Sequence, residues 1–279
     1  MIVFAKANND IRLPKSCGLV FMIKNYDNEI NVSKILENLI KTVEVEVVEE
    51  TTSTNDYIKK YLDKEVFVVI AKSQTNGRGR LNRSFYSPSN TGLYLSLLIK
   101  PNSTISNSVK LTTYTAVVVA KAIESLIDMP VQIKWVNDLF LNGKKICGVL
   151  TESSYNFEKN KLTHAVIGIG VNVYNGSFPL ELKRIATSIE KESGIKVNIN
   201  DLISKIINGL LNAEKEISSN NYLVDYKKRL FILGKKVMVV SGNDRYDATC
   251  LDVLENGALL VSKDGEIITV HAGDVSIRV

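Results

Sequence analysis

Ser73-Gln74-Thr75-Asn76-Gly77-Arg78-Gly79-Arg80-Leu81-Asn82-Arg83 opens a stretch without periodicity, rich in Gly, Asn, Ser and Arg, that runs on to Thr91. Two apolar runs bracket it. Residues 66–71 are dense in β-branched side chains and read as a buried strand, and residues 92–100 read as a second strand, exposed or interior. A loop of this length inside a compact domain is usually functional or mobile. It is also basic: residues 72–83 hold Lys72, Arg78, Arg80 and Arg83 and no acid. Cations on a glycine-bearing loop suit an anionic small molecule at least as well as a nucleic acid.

Upstream, Val32, Ile35, Leu36, Leu39 and Ile40 space a helix over residues 31–41, and residues 43–48 alternate as a half-buried strand. Residues 51–55 are a cluster of capping side chains before a short helix near 56–62. Downstream, a long amphipathic helix spans 106–127. Strands at 131–135 and 139–141 follow, and Asn142-Gly143 turns a hairpin into a strand at 145–152. Residues 162–173 read as a strand that Gly168-Ile169-Gly170 interrupts or bulges. Helices are expected at 202–217 and 221–230. After Gly234 the pattern changes to short strands at 235–240, 246–254, 258–262 and 266–271, with turns at Asn256-Gly257 and Asp264-Gly265. The fold class is α+β: a mixed β-sheet core flanked by helices, with a small barrel-like β module at the C-terminus.

Composition sets the outer bounds. The chain has 279 residues, 45% hydrophobic and 23% charged, which is ordinary globular usage. No apolar run approaches the ~18 residues that span a bilayer, and no secretion signal opens the chain. Cys17, Cys147 and Cys250 are far apart, and His164 and His271 are alone. That excludes a disulfide framework and a zinc cluster and fits a reducing cytoplasm. The net charge of +5 resides largely in the basic loop, whereas residues 1–50 carry six Lys and Arg against eight Asp and Glu. A DNA-reading head is usually basic, so DNA is not an expected partner.

The loop is not a dinucleotide fingerprint, because the third glycine position is Asn82 and Ser87-Pro88-Ser89-Asn90 cannot open the required helix. P-loop, GxSxG and HExxH motifs are absent. What remains is a set of separated motifs. They are Ser53-Thr54-Asn55; Gln74 with Gly77-Arg78-Gly79-Arg80, Arg83, Phe85 and Ser87-Pro88; Leu93-Tyr94-Leu95-Ser96; Lys134-Trp135-Val136-Asn137-Asp138; Lys145 with Gly148-Val149-Leu150; and Gly168-Ile169-Gly170-Val171-Asn172. In this order and spacing the chain resembles the biotin–protein ligases over residues 45–279, in a form without a complete N-terminal DNA-binding domain. Asn82, Phe85 and Val136 stand where the family more often has Gly, Trp and Pro.

The resemblance implies residues 45–232 as a biotin- and ATP-binding core and 233–279 as an SH3-like domain. Residues 1–44 are expected to be too short for a full winged helix-turn-helix. It implies that biotin and ATP form biotinyl-5′-adenylate, with Mg²⁺, and that biotin then passes to a lysine of a biotin carboxyl carrier protein or domain. Lys145, Arg80 and Asp138 would be catalytic. Ser53, Thr54, Asn55, Gln74, Arg78, Gly79, Arg80 and Lys145 would bind biotin. Arg78, Arg80, Arg83, Trp135, Asn137, Lys145 and Asn172 would bind the nucleotide. No metal ligands are assignable, a membrane is not expected, and exposed strands allow a homodimer. The alternatives are a lipoate-type ligase, whose Arg-Arg-x-Ser-Gly-Gly-Gly loop is absent, and a non-catalytic biotin- or nucleic-acid-binding regulator.

Overall fold

A computed structural model describes residues 29–279 apart from 102–107, 157, 159–160, 243, 272 and 278–279. The expectations for Cys17 and most of residues 1–44 lie outside the described residues. Seven strands form one sheet in the order β1-β2-β3-β7-β6-β5-β4, with β1 and β2 parallel and the remaining pairs antiparallel. They are β1 Glu44–Thr51, β2 Val66–Gln74, β3 Gly92–Ile99, β4 Gln132–Lys134, β5 Asp138–Leu141, β6 Lys144–Asn156 and β7 Lys161–Asn172.

Alternation along the strands divides the side chains between two faces. Val68 and Ile70, Leu93, Leu95 and Leu97, and Ile167, Ile169 and Val171 enter the main core. That core is completed by helices α1 Val32–Glu37, α3 Ser108–Glu124, α4 Ile189–Ser193, α5 Ile199–Leu210, α6 Ala213–Ser219 and α7 Tyr222–Arg229. Phe67, Val69, Leu98 and Val166 face the other way and pack with Ile58 into a small second cluster. Among the described residues, α2 Thr54–Tyr57 and a following 3₁₀ turn, Ile58–Tyr61, pack over this cluster. Part of the sheet is thereby left open beside α2.

The C-terminal module is a five-stranded antiparallel sheet in the order β11-β10-β9-β8-β12. Its strands are β8 Lys236–Ser241, β9 Asp244–Val253, β10 Leu259–Lys263, β11 Glu266–Val270 and β12 Asp274–Ile277. Asp264-Gly265 and Asn142-Gly143 both have positive φ at the two turn residues, the geometry that two-residue hairpins need. The arrangement is the expected SH3-like appendage on an α+β core. No helix among the described residues is long and apolar enough to cross a membrane.

Three expectations are corrected. The strand over 162–173 is not interrupted at Gly168-Ile169-Gly170; it pairs in unbroken register with β3 and β6 there. The helix expected at 202–217 is two helices, because Asn212 leaves helical geometry at φ −99°, ψ 8° and starts α6; asparagine favours such caps over helix interiors. The helix near 56–62 begins earlier, with Ser53 as N-cap and Thr54 in the first turn. Helix α4 was not read from the sequence, being only five residues long.

Candidate active site

The open part of the sheet is the floor of a solvent-facing cleft. Gly148 and Leu150 from β6 and Gly168 and Gly170 from β7 line it, and Ser96 from β3 and Glu152 from β6 stand on the same sheet face, opposite the main core. The walls are α2, residues 77–85 of the basic loop, the β4–β5 turn and the start of β12.

One end is neutral and polar. Thr54 donates its amide to Gln74 Oε1 at 2.9 Å, and Gln74 Nε2 donates to Ser87 Oγ at 2.9 Å. The Ser96 hydroxyl donates to Asn55 Oδ1 at 2.6 Å and lies 2.7 Å from Thr54 Oγ1. Asn55 Nδ2 donates to Glu152 Oε2 at 2.8 Å and, less closely, to the Leu150 carbonyl at 3.4 Å. Ser53 is different. It is 2% exposed and lines the cleft, yet its hydroxyl has no hydrogen bond among the described residues. A buried polar group without a partner is rare, and in a cleft it marks a place for a ligand atom.

The other end is cationic. Lys145 Nζ lies 2.7 Å from Asp138 Oδ1, Lys134 lies 3.7 Å from both Asp138 and Asp274, and Arg83 lies 2.7 Å from Asp274. Burial alone would push the Asp274 carboxyl up, but Lys134 and Arg83 together hold it below its ordinary value. Arg80 has no ion pair among the described residues; its guanidinium donates only to Asn137 Oδ1, at 3.3 Å. Burial lowers its affinity for its proton, partly offset by Asp274 and Asp138. Asn137 is fixed in turn by two bonds to the Val149 backbone. Four cations against two acids leave this end ready for a polyanion.

Between the ends lies the loop. Gly79 N donates to Arg83 O at 2.7 Å and Phe85 N to Gly77 O at 2.8 Å, so residues 77–85 form a narrow hairpin. Leu81 and Asn82 occupy left-handed geometry at φ 55° and 58°, which asparagine tolerates at the position where the family more often has glycine. The Phe85 ring lies on the sheet: a Cβ on Gly170 would come within 2.6 Å of it. Arg78 is held at both arms, by Asp56 Oδ1 at 2.6 Å and Glu152 Oε1 at 2.9 Å, and those acids outweigh burial and raise its pKa.

Of the residues singled out from the sequence, Ser53, Thr54, Asn55, Gln74, Arg78 and Gly79 gather on one side of this cleft, and Arg80, Arg83, Asn137, Asp138 and Lys145 on the other. Trp135 and Asn172 are not brought to it. Trp135 is 1% exposed and donates its indole N–H to the Gly257 carbonyl of the C-terminal module. Asn172 donates to the Thr187 carbonyl and lines a separate small pocket with Tyr86 and Phe178. Sequence reasoning missed Asp274, Ser96 and Glu152 as members of the site.

Residues 44–172 match the biotin/lipoate A/B protein ligase family. That part of the chain is a domain of this family. The chain is 29% identical over 237 residues to the bifunctional ligase/repressor BirA of Bacillus spizizenii, covering 83% of this chain and 72% of that protein. To the biotin–[acetyl-CoA-carboxylase] ligase of Mycobacterium tuberculosis it is 27% identical, covering 83% and 88%. The biotin protein ligase of Aquifex aeolicus, solved with biotin and ATP, superimposes with a TM-score of 0.74 at 26% identity, covering 84% of this chain and 98% of that one.

Proposed function

We propose that this ligase joins biotin to ATP to form biotinyl-5′-AMP and then transfers biotin to a lysine of a biotin carboxyl carrier protein or domain. The observation that carries the reading is the division of the cleft. An orphaned Ser53 hydroxyl among satisfied amides and hydroxyls shares the cleft with a cluster of cations in which Arg80 has no ion pair among the described residues. The ureido ring of biotin needs both donors and acceptors and suits the first end; carboxylate and phosphates suit the second.

In the first step a biotin carboxylate oxygen attacks the α-phosphorus and pyrophosphate leaves with the bonding pair. No enzyme nucleophile is required. Two anions must approach, so Lys145 and Arg80 act by neutralising charge where it accumulates, and the rigid Asn137 aims Arg80. In the second step the acceptor amine attacks the biotinyl carbonyl and AMP leaves. Asp138 would orient that amine or accept its proton. Residues 77–88 would keep water from the mixed anhydride meanwhile. Arg83 and Asn137 are assigned to the nucleotide.

Magnesium is expected to accompany the nucleotide. The protein itself offers no cage for it: among the described residues no three His, Cys, Asp or Glu side chains gather, and Asp138 and Asp274 are held by lysine and arginine. No step is derived through a metal. We take residues 45–232 as the catalytic core, 233–279 as the SH3-like domain, and the cytoplasm as the setting.

Biotin-dependent exchange of labelled pyrophosphate into ATP tests the reading without the acceptor, with lipoate and octanoate in parallel. Exchange with biotin alone is expected. Exchange only with lipoate or octanoate would make this a lipoate-type enzyme, and none with any acid would leave binding without chemistry.

A further inference from the structure

Trp135, Val136 and Asn137 form the turn between β4 and β5, at the cationic end of the cleft. Other elements hold it on every side. The Val149 backbone on β6 bonds both the side chain and the carbonyl of Asn137, and the Gly257 carbonyl takes the Trp135 indole. The Val136 carbonyl remains. It belongs to a buried residue and accepts from the Tyr226 hydroxyl on α7 at 3.1 Å, its one hydrogen bond among the described residues.

Tyr226 is itself firmly placed. Its ring lies wholly in the main core, and a tyrosine there brings one polar atom that needs a partner. Burial holds the phenol well above its ordinary pKa, so it is a donor throughout the neutral range. Just beyond α7, Phe231 N donates to Ile133 O of β4 at 3.3 Å, which fixes the helix along that strand. The neighbouring Lys227 lies 2.7 Å from Asp252 on β9. The phenol is also near enough to Arg80 and Asp138 to interact with both electrostatically.

A buried carbonyl without a partner is costly, so a turn deprived of this bond would shift to relieve it. Asn137 is the next residue, and its Oδ1 takes the Arg80 guanidinium at 3.3 Å. We propose that Tyr226 is a positioning residue for adenylation: its hydroxyl fixes the β4–β5 turn, the turn fixes Asn137, and Asn137 aims Arg80. The inference rests on the biotin-ligase reading and deepens it with a residue that does not line the cleft.

The test is kcat for biotin-dependent pyrophosphate exchange on the full chain. Tyr226→Phe removes the hydroxyl alone and is expected to lower kcat by about tenfold. Tyr114→Phe is the comparison, because the Tyr114 hydroxyl also donates to a backbone carbonyl, that of Gly209 at 2.6 Å, but joins α3 to α5 on the core side of the sheet. Both variants are expected to lower the urea midpoint, and only Tyr226→Phe to lower kcat. Asn137→Ala is expected to cost about tenfold, and adding Tyr226→Phe to it less than about twofold more, since the two act in series. Wild-type kcat in Tyr226→Phe or in Asn137→Ala, an equal loss in Tyr114→Phe, or losses from Tyr226→Phe and Asn137→Ala that multiply in full would overturn the proposal. Wild-type protein that exchanges with no acid would instead overturn the reading beneath it, and the two failures are thus distinct.

Discussion

Lys145 Nζ and Asp138 Oδ1 lie 2.7 Å apart across the β5–β6 hairpin, the acid nearly buried and the lysine about one-third exposed at its side chain. The carboxylate holds the ammonium at the wall of the cleft, where the proposed function needs it. Removing a donor that stabilises developing charge costs about 10²–10³ in rate. Lys145→Ala is therefore expected to lower kcat for pyrophosphate exchange by that much, whereas Asp138→Asn, which keeps the side chain's shape, costs about tenfold. A larger loss for Asp138→Asn would give the leading role to the carboxylate.

Among the described residues Arg80 has only the Asn137 side-chain carbonyl as hydrogen-bond partner, and the proposed function gives its charge to the adenylate. Arg80→Ala is expected to release biotinyl-5′-AMP at least about tenfold faster, measured by trapping the released adenylate after a single turnover. Lysine should restore this only partly, since a point charge cannot reproduce a planar fork. Unchanged leakage in Arg80→Ala would remove Arg80 from the closing device.

Gly168 lies directly beneath Asn55, and a methyl group there would overlap Asn55 Oδ1. The amide cannot retreat easily, being held by Ser96 and Glu152. Overpacking of this kind costs about 1–3 kcal/mol. Gly168→Ala is expected to raise KM for biotin by about tenfold to a hundredfold with native far-UV circular dichroism. A normal KM would mean that Asn55 is not a ligand.

Burial pushes Tyr94 and Tyr174 up to about 12, from an ordinary value of 10.0, and Cys250 up to about 12 from 9.0. The folded chain thus keeps protons that the unfolded chain loses. The stability they provide is complete below about pH 9 and is lost as pH rises toward 12. Urea midpoints measured across that range should fall steadily; a flat profile would show that these groups titrate normally in the fold.

Much of the site was legible because its residues are close in sequence and chemically distinctive: Ser53-Thr54-Asn55 at a helix start, Arg78 and Arg80 on a tight loop, Lys145 after an Asn-Gly turn. The glycines at 168 and 170 were misread as a break. Their role is to leave room for Asn55 and Phe85, and no pattern in β7 itself reveals what lies above it. Asp274 comes from the last strand of the other sheet, and Glu152 from a strand whose nearer residues seemed sufficient. Trp135 sits among cleft residues in sequence but points into the core. Chain proximity predicted the company of each side chain but not its facing.

The chain has one tryptophan. Its indole is bonded to the Gly257 carbonyl at the turn between β9 and β10, so the fluorophore sits at the seam between the two sheets. Intrinsic emission is then a readout of how the C-terminal module seats on the core, and a spectator of the nucleotide. An emission change on adding biotin and ATP would signify movement of that seam, and a silent spectrum would be compatible with full occupancy of the cleft.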